Sequence, residues 1–105
     1  MTKTVSYHAQ VERQERISFI IDATKGEFGK MICSVSDSSN NTKRVLTEKG
    51  IIIILDNDTE RLVTMYFGTV AQITQLYRSA TKEKTCPKWV MKIAHKAKEY
   101  NLKQP

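Results

Sequence analysis

The chain has 105 residues, 40% of them hydrophobic, with a formal charge of +6 at pH 7. That length is one domain by the usual prior, residues 1–105, and can bury a core without staples. The longest apolar run, Ile51 to Leu55, is far too short to span a bilayer, and Cys33 and Cys86 stand far apart with no ligand spacing, so neither a spanning helix nor a zinc module is expected. With no secretory apolar segment at the N-terminus, the expected location is the reducing cytoplasm.

Ser6 can cap a helix that begins at Tyr7, with Tyr7, Ala9, Val11 and Ile17 as a thin apolar stripe. Ser18 offers a second cap, which predicts a separate short helix from Phe19 to Lys25, closed by Gly26 in a left-handed conformation. In KMICSVS the residues Met31, Cys33 and Val35 alternate as one face of a half-buried strand. DSSNN is a loop, KRVLTE (43–48) a second strand and Lys49-Gly50 a tight turn. IIIILD is β-branched on both faces, which predicts a central strand packed on each side. After the turn Asn57-Asp58-Thr59, ERLVTMYFG forms the last strand, with Leu62, Thr64 and Tyr66 opposite Val63, Met65 and Phe67. Short turns make these strands antiparallel neighbours, a meander of three or four.

Gly68 ends the sheet, and Thr69 with Gln72 three residues later has capping-box spacing. The helix that follows turns Val70, Ile73, Leu76 and Tyr77 inward. A polar break from Ser79 to Thr85 leads to Cys86-Pro87, where proline suits the start of a final helix. There Trp89, Val90, Ile93, Ala97 and Tyr100 recur at core spacing beside a stripe of Lys88, Lys92 and Lys96. The order is α+β: N-terminal helices, an antiparallel meander, then two C-terminal helices.

Charge is unevenly placed. Residues 1–77 carry nine Lys/Arg and nine Asp/Glu, so the net charge resides in residues 78–105. This asymmetry points to RNA or an acidic protein surface as partner, through Arg78, Lys84, Lys88, Lys92 and Lys96, with Arg13 added from the first helix. A lysine-rich helix that is merely solvated explains the same residues. No metal motif, phosphate loop or cofactor signature occurs, so no cofactor is expected; Cys33 and Cys86 read as packing residues.

Chemistry without a cofactor remains open. RNA is cut by its own 2′-hydroxyl when a protein supplies a base, an acid and cations around the phosphate. Histidine suits proton transfer at neutral pH, and arginine binds phosphate oxygens in pairs. His8, Glu12 and Arg16 are spaced four apart on one side of a helix, with Arg13 offset by about a quarter turn. The same spacing also gives ordinary stabilising pairs on a solvent-facing helix.

The strings His8-Ala9, Arg16-Ile17-Ser18, Lys49 to Asp56 and Leu62 to Tyr66 resemble the RelE-like group of small bacterial and phage proteins. Its wider superfamily includes barnase-like and colicin-like ribonucleases. The resemblance spans about residues 5–67 and leaves out the basic helices. It implies a metal-independent endoribonuclease, often a toxin acting on messenger or transfer RNA and paired with an antitoxin. The residues matching its site are His8, Arg16, Thr64 and Tyr66. Glu12 stands where the related pattern carries an arginine, and the glycine before Ile17-Ser18 is missing. Two functions are therefore expected: an RNA-directed protein, or a non-catalytic phage or bacterial inhibitor that docks its basic C-terminal helix on a host protein. A DNA-binding regulator comes third, because no helix-turn-helix turn is evident.

Overall fold

The computed structural model describes residues 7–103, with side chains described from Arg13 onward. In chain order the elements are α1 (Tyr7–Thr24), β1 (Met31–Asp37), β2 (Thr42–Thr47), β3 (Ile51–Asp56), β4 (Leu62–Phe67), α2 (Val70–Thr81) and α3 (Lys88–Lys103). The four strands form one antiparallel meander, β1-β2-β3-β4. The architecture is α+β.

One N-terminal helix replaces the expected two. Ser18 lies exposed in the middle of α1, and nothing there breaks the backbone ladder. A serine can cap a helix, but it halts one only when a turn or a packing demand interrupts the chain. The helix ends where expected: Gly26 has φ +77° and its N–H reaches back to the Ile21 carbonyl at 3.0 Å. The proposed cap at Ser6 lies outside the described residues.

In β1, Cys33 and Val35 pack against the core as expected, and only Met31 departs. A bulge between Met31 and Cys33 shifts the register, so Met31 is 64% exposed while Ile32 packs against the core. One extra residue reverses the alternation before it.

β3 lies inside the sheet, and its neighbouring Ile51 and Ile52 point to opposite faces yet are both buried. Directly paired residues share a face, so Leu46, Ile52 and Tyr66 lie on one side and Val45, Ile53 and Met65 on the other. Leu76 and Gln72 of α2 sit over Ile52 and Tyr66. On the opposite face Phe67, 2% exposed, meets Phe19 of α1 edge-on at 6.4 Å and stacks on Tyr100 of α3 at 4.6 Å. Burying such a ring contributes about 1.5–3 kcal/mol, and each aromatic pair adds about 0.5–1.5 kcal/mol. Phe67 therefore ties both helices to the end of the sheet.

α3 approaches the β2–β3 turn so closely that only glycine fits at position 50. Its φ is +80°, and a Cβ there would lie 2.6 Å from the Ala97 Cβ. At the start of α2 both capping-box bonds form: Gln72 N–H donates to Thr69 Oγ1 at 3.1 Å, and Thr69 N–H donates to Gln72 Oε1 at 3.0 Å. α2 runs three residues further than expected into the polar break, to Thr81, and stops at Lys82, whose φ is +63°. On α3, Val90, Ala94 and Ala97 are buried, but Trp89 is 49% exposed and meets Tyr77 only edge-on. Helical spacing placed Trp89 near the core, and the actual rotation of α3 leaves it at the boundary. Among the described residues no helix is long and apolar enough to cross a membrane.

Candidate functional site

Three of the four residues matched by the resemblance meet in space. Arg16 projects from α1 toward β4, where its Nη2 donates to Thr64 Oγ1 at 2.8 Å. Its guanidinium carbon lies 5.8 Å from the centre of the Tyr66 ring, within cation–π range. Strand alternation explains the pairing, since Thr64 and Tyr66 are two apart and face the same way. The Arg16 Nε is buried and has no hydrogen-bond partner. A guanidinium oriented by a hydroxyl and a ring at the wall of a cleft is suited to an anionic oxygen there.

His8 lies on α1 two turns before Arg16, about 12 Å along the helix axis at 1.5 Å per residue. Its side chain, like that of Glu12, lies outside the described ones. Arg13 is partly exposed on α1.

Arg16 and Tyr66 form one wall of a cleft of about 860 Å³ at the end of the sheet. The first turn of α2, from Thr69 to Gln72, forms a second wall, and Lys98, Asn101 and Leu102 of α3 form a third. Asn101 is fixed by its Nδ2, which donates to the carbonyls of Phe67 at 2.9 Å and Gly68 at 3.3 Å. Arg44 and Tyr66 share a smaller adjoining cavity of about 70 Å³ beneath α2. Burial raises the Tyr66 phenol above its ordinary range, and the charges of Arg44 and Arg16 pull it partly back. The phenol is thus protonated at neutral pH, a donor rather than a base.

The remaining basic candidates lie elsewhere. Arg78, Lys84, Lys88, Lys92 and Lys96 are all exposed, and none lines the cleft. Arg78 Nε donates back to the Thr74 carbonyl at 3.4 Å. Among the described residues the one ion pair within 4.0 Å is Lys43–Glu60, at 3.8 Å, so no acidic side chain there neutralises the α3 stripe. Both cysteines are free and partly buried. Burial raises the Cys33 thiol, and the Cys86 Sγ contacts the Thr74 carbonyl at 3.6 Å. No cluster of three or more metal-ligating side chains occurs among the described residues.

Sequence reading missed Lys98, Asn101, Leu102 and Gln72. Residues 98, 101 and 102 do recur at i, i+3 and i+4, one face of α3. Nothing in the chain marks that face as different from the lysine stripe beside it, and Gln72 already had a role as a cap. Comparison with models of protein families, with curated proteins and with solved structures yields no match to this chain.

Proposed function

We propose that this chain is a small RNA-directed protein of RelE-like kind, which grips the RNA backbone at Arg16 and cuts it without a metal. The observation that carries the reading is the convergence of Arg16, Thr64 and Tyr66, two of which, Arg16 and Tyr66, line a cleft that Lys98 also lines. Thr64 acts as a positioning residue, accepting one guanidinium hydrogen and leaving the others for phosphate. His8 takes the proton of the 2′-hydroxyl as that oxygen attacks the adjacent phosphorus. Arg16 holds the non-bridging oxygens as charge builds, and the Tyr66 phenol donates to the departing 5′-oxygen. The products are a 2′,3′-cyclic phosphate and a free 5′-hydroxyl. The binding half of this reading stands on Arg16, Tyr66 and Lys98; the catalytic half stands on His8.

End-labelled single-stranded RNA incubated with excess chelator tests both halves. The wild type is expected to cleave, His8→Ala to bind without cleaving, and Arg16→Ala to do neither. Binding that stays constant from 50 to 200 mM salt would sink the reading, because phosphate contacts release counterions.

A second reading is favoured by one feature, the row Lys88, Lys92, Lys96 with half-exposed Trp89 beside it. Cations around an accessible tryptophan suit an acidic protein surface. A single stoichiometric protein partner, held by the wild type and Arg16→Ala alike and lost on removing the three lysines, would select it.

A further inference from the structure

The cleft has more structure than a phosphate grip requires. Its cations stand on different elements, Arg16 on α1 and Lys98 on α3, while Tyr66, Val70 and Leu102 supply apolar lining to the same cleft. Leu102 is 79% exposed, an aliphatic side chain left in water at the mouth where a bound molecule would cover it.

The two amides of the cleft are oriented by the fold. Asn101 Nδ2 donates to two backbone carbonyls, which leaves Oδ1 as the atom to accept from a ligand. Gln72 Oε1 is held by the Thr69 N–H in the capping box, which leaves Nε2 to donate. One acceptor and one donor, fixed by backbone, complement the edge of a nucleobase, where donors and acceptors lie side by side. The volume of about 860 Å³ is ample for a single nucleotide and lies within the range of small-molecule sites, about 300–1,000 Å³.

We propose that this cleft takes one nucleotide unit of single-stranded RNA: its phosphate between Arg16 and Lys98, its base against Tyr66, Val70 and Leu102, its polar edge toward Asn101 Oδ1 and Gln72 Nε2. The inference rests on the RNA-directed reading and adds a base-holding site to it. A nucleoside monophosphate carries the same chemistry free in solution, so the test separates the two sources.

Calorimetric titration of the full chain with a 5′-mononucleotide, the matching nucleoside and ribose 5-phosphate measures each half of the ligand. The mononucleotide is expected to bind at least about tenfold more tightly than either fragment, since each fragment forfeits one set of contacts. Lys98→Ala and Leu102→Glu lie on exposed positions and leave the core intact, which circular dichroism checks; each is expected to weaken the mononucleotide about tenfold. A ten-nucleotide single strand is expected to displace it. A mononucleotide no tighter than ribose 5-phosphate, or indifferent to both substitutions, overturns the base site. If the single strand binds with steep salt dependence while the mononucleotide does not bind, the base site falls and the RNA-directed reading stands. If the mononucleotide binds but the strand neither binds nor displaces it, the RNA source falls with that reading.

Discussion

Two cationic regions of this molecule look alike in composition and differ in setting. Arg16 is one charge, drawn against β4 by Thr64 and lying over the Tyr66 ring, with a buried N–H left unpaired. Lys88, Lys92 and Lys96 are three charges on an open helical face, all exposed. The stripe dominates any count of charge, yet flexible ammonium groups in water attract an anion without orienting it. A guanidinium held by a hydroxyl presents its remaining donors in a set direction. Orientation, rather than number, separates a site from a charged surface.

The largest test of this contrast is Arg16→Ala beside Arg16→Lys. Both are expected to reduce RNA cleavage by about a hundredfold or more, because a lysine lacks the fork. Rate measurements on folded protein decide it, and full activity in Arg16→Lys would reduce Arg16 to one more positive charge. Next in size is the triple replacement Lys88→Ala, Lys92→Ala, Lys96→Ala. It is expected to lower RNA affinity some tens of fold near 0.15 M salt and to cut the salt slope by about 2, at roughly 0.7 per contact on a single strand. The cleavage rate at saturating RNA should not change. If it falls as far as in Arg16→Ala, the two regions are one site.

A smaller effect is expected from Thr64→Val, which keeps the shape and removes the acceptor for Arg16. The lost hydrogen bond costs about 1 kcal/mol, or roughly 4–8 °C in a domain of this size. Under the proposal the cleavage rate falls further than that stability loss accounts for; an unchanged rate would make the bond a structural tie only.

The smallest effect concerns pH. The folded chain holds the Tyr66 proton more tightly than the unfolded chain does. The stability linked to it is therefore intact below the ordinary phenol value of 10.0 and is lost as pH rises through the raised value. Tyr66→Phe is expected to flatten the alkaline limb of a melting-temperature profile above pH 10 and leave neutral pH unaffected. An identical limb in both proteins would place the phenol in an environment like water.

Much of the frame was legible before any coordinates. The β-branched run at Ile51–Ile54 marked a strand packed on both faces, because its branching, its short length and the turn residues on either side all favour a strand over a helix. Thr69 and Gln72 marked a helix start through a bond pattern local to four residues. Errors arose where two local signals competed or where register decided the outcome. Ser18 has the chemistry of a cap but sits in an unbroken helix, and Met31 follows the alternation of β1 until a bulge reverses it.

The amino-acid sequence by itself determined the α+β order, the antiparallel meander, the basic final quarter and the spacing that puts Thr64 and Tyr66 on one face. These depend on periodicity and turn chemistry, which act over a few residues. Only the tertiary structure decided that Arg16 meets Thr64, 48 residues away, and that Lys98, Asn101 and Leu102 line a cleft together with Arg16. Those contacts depend on where α1 and α3 dock against the end of the sheet. That docking is set by the shared packing of Phe19, Phe67 and Tyr100, and no single segment of the chain encodes it.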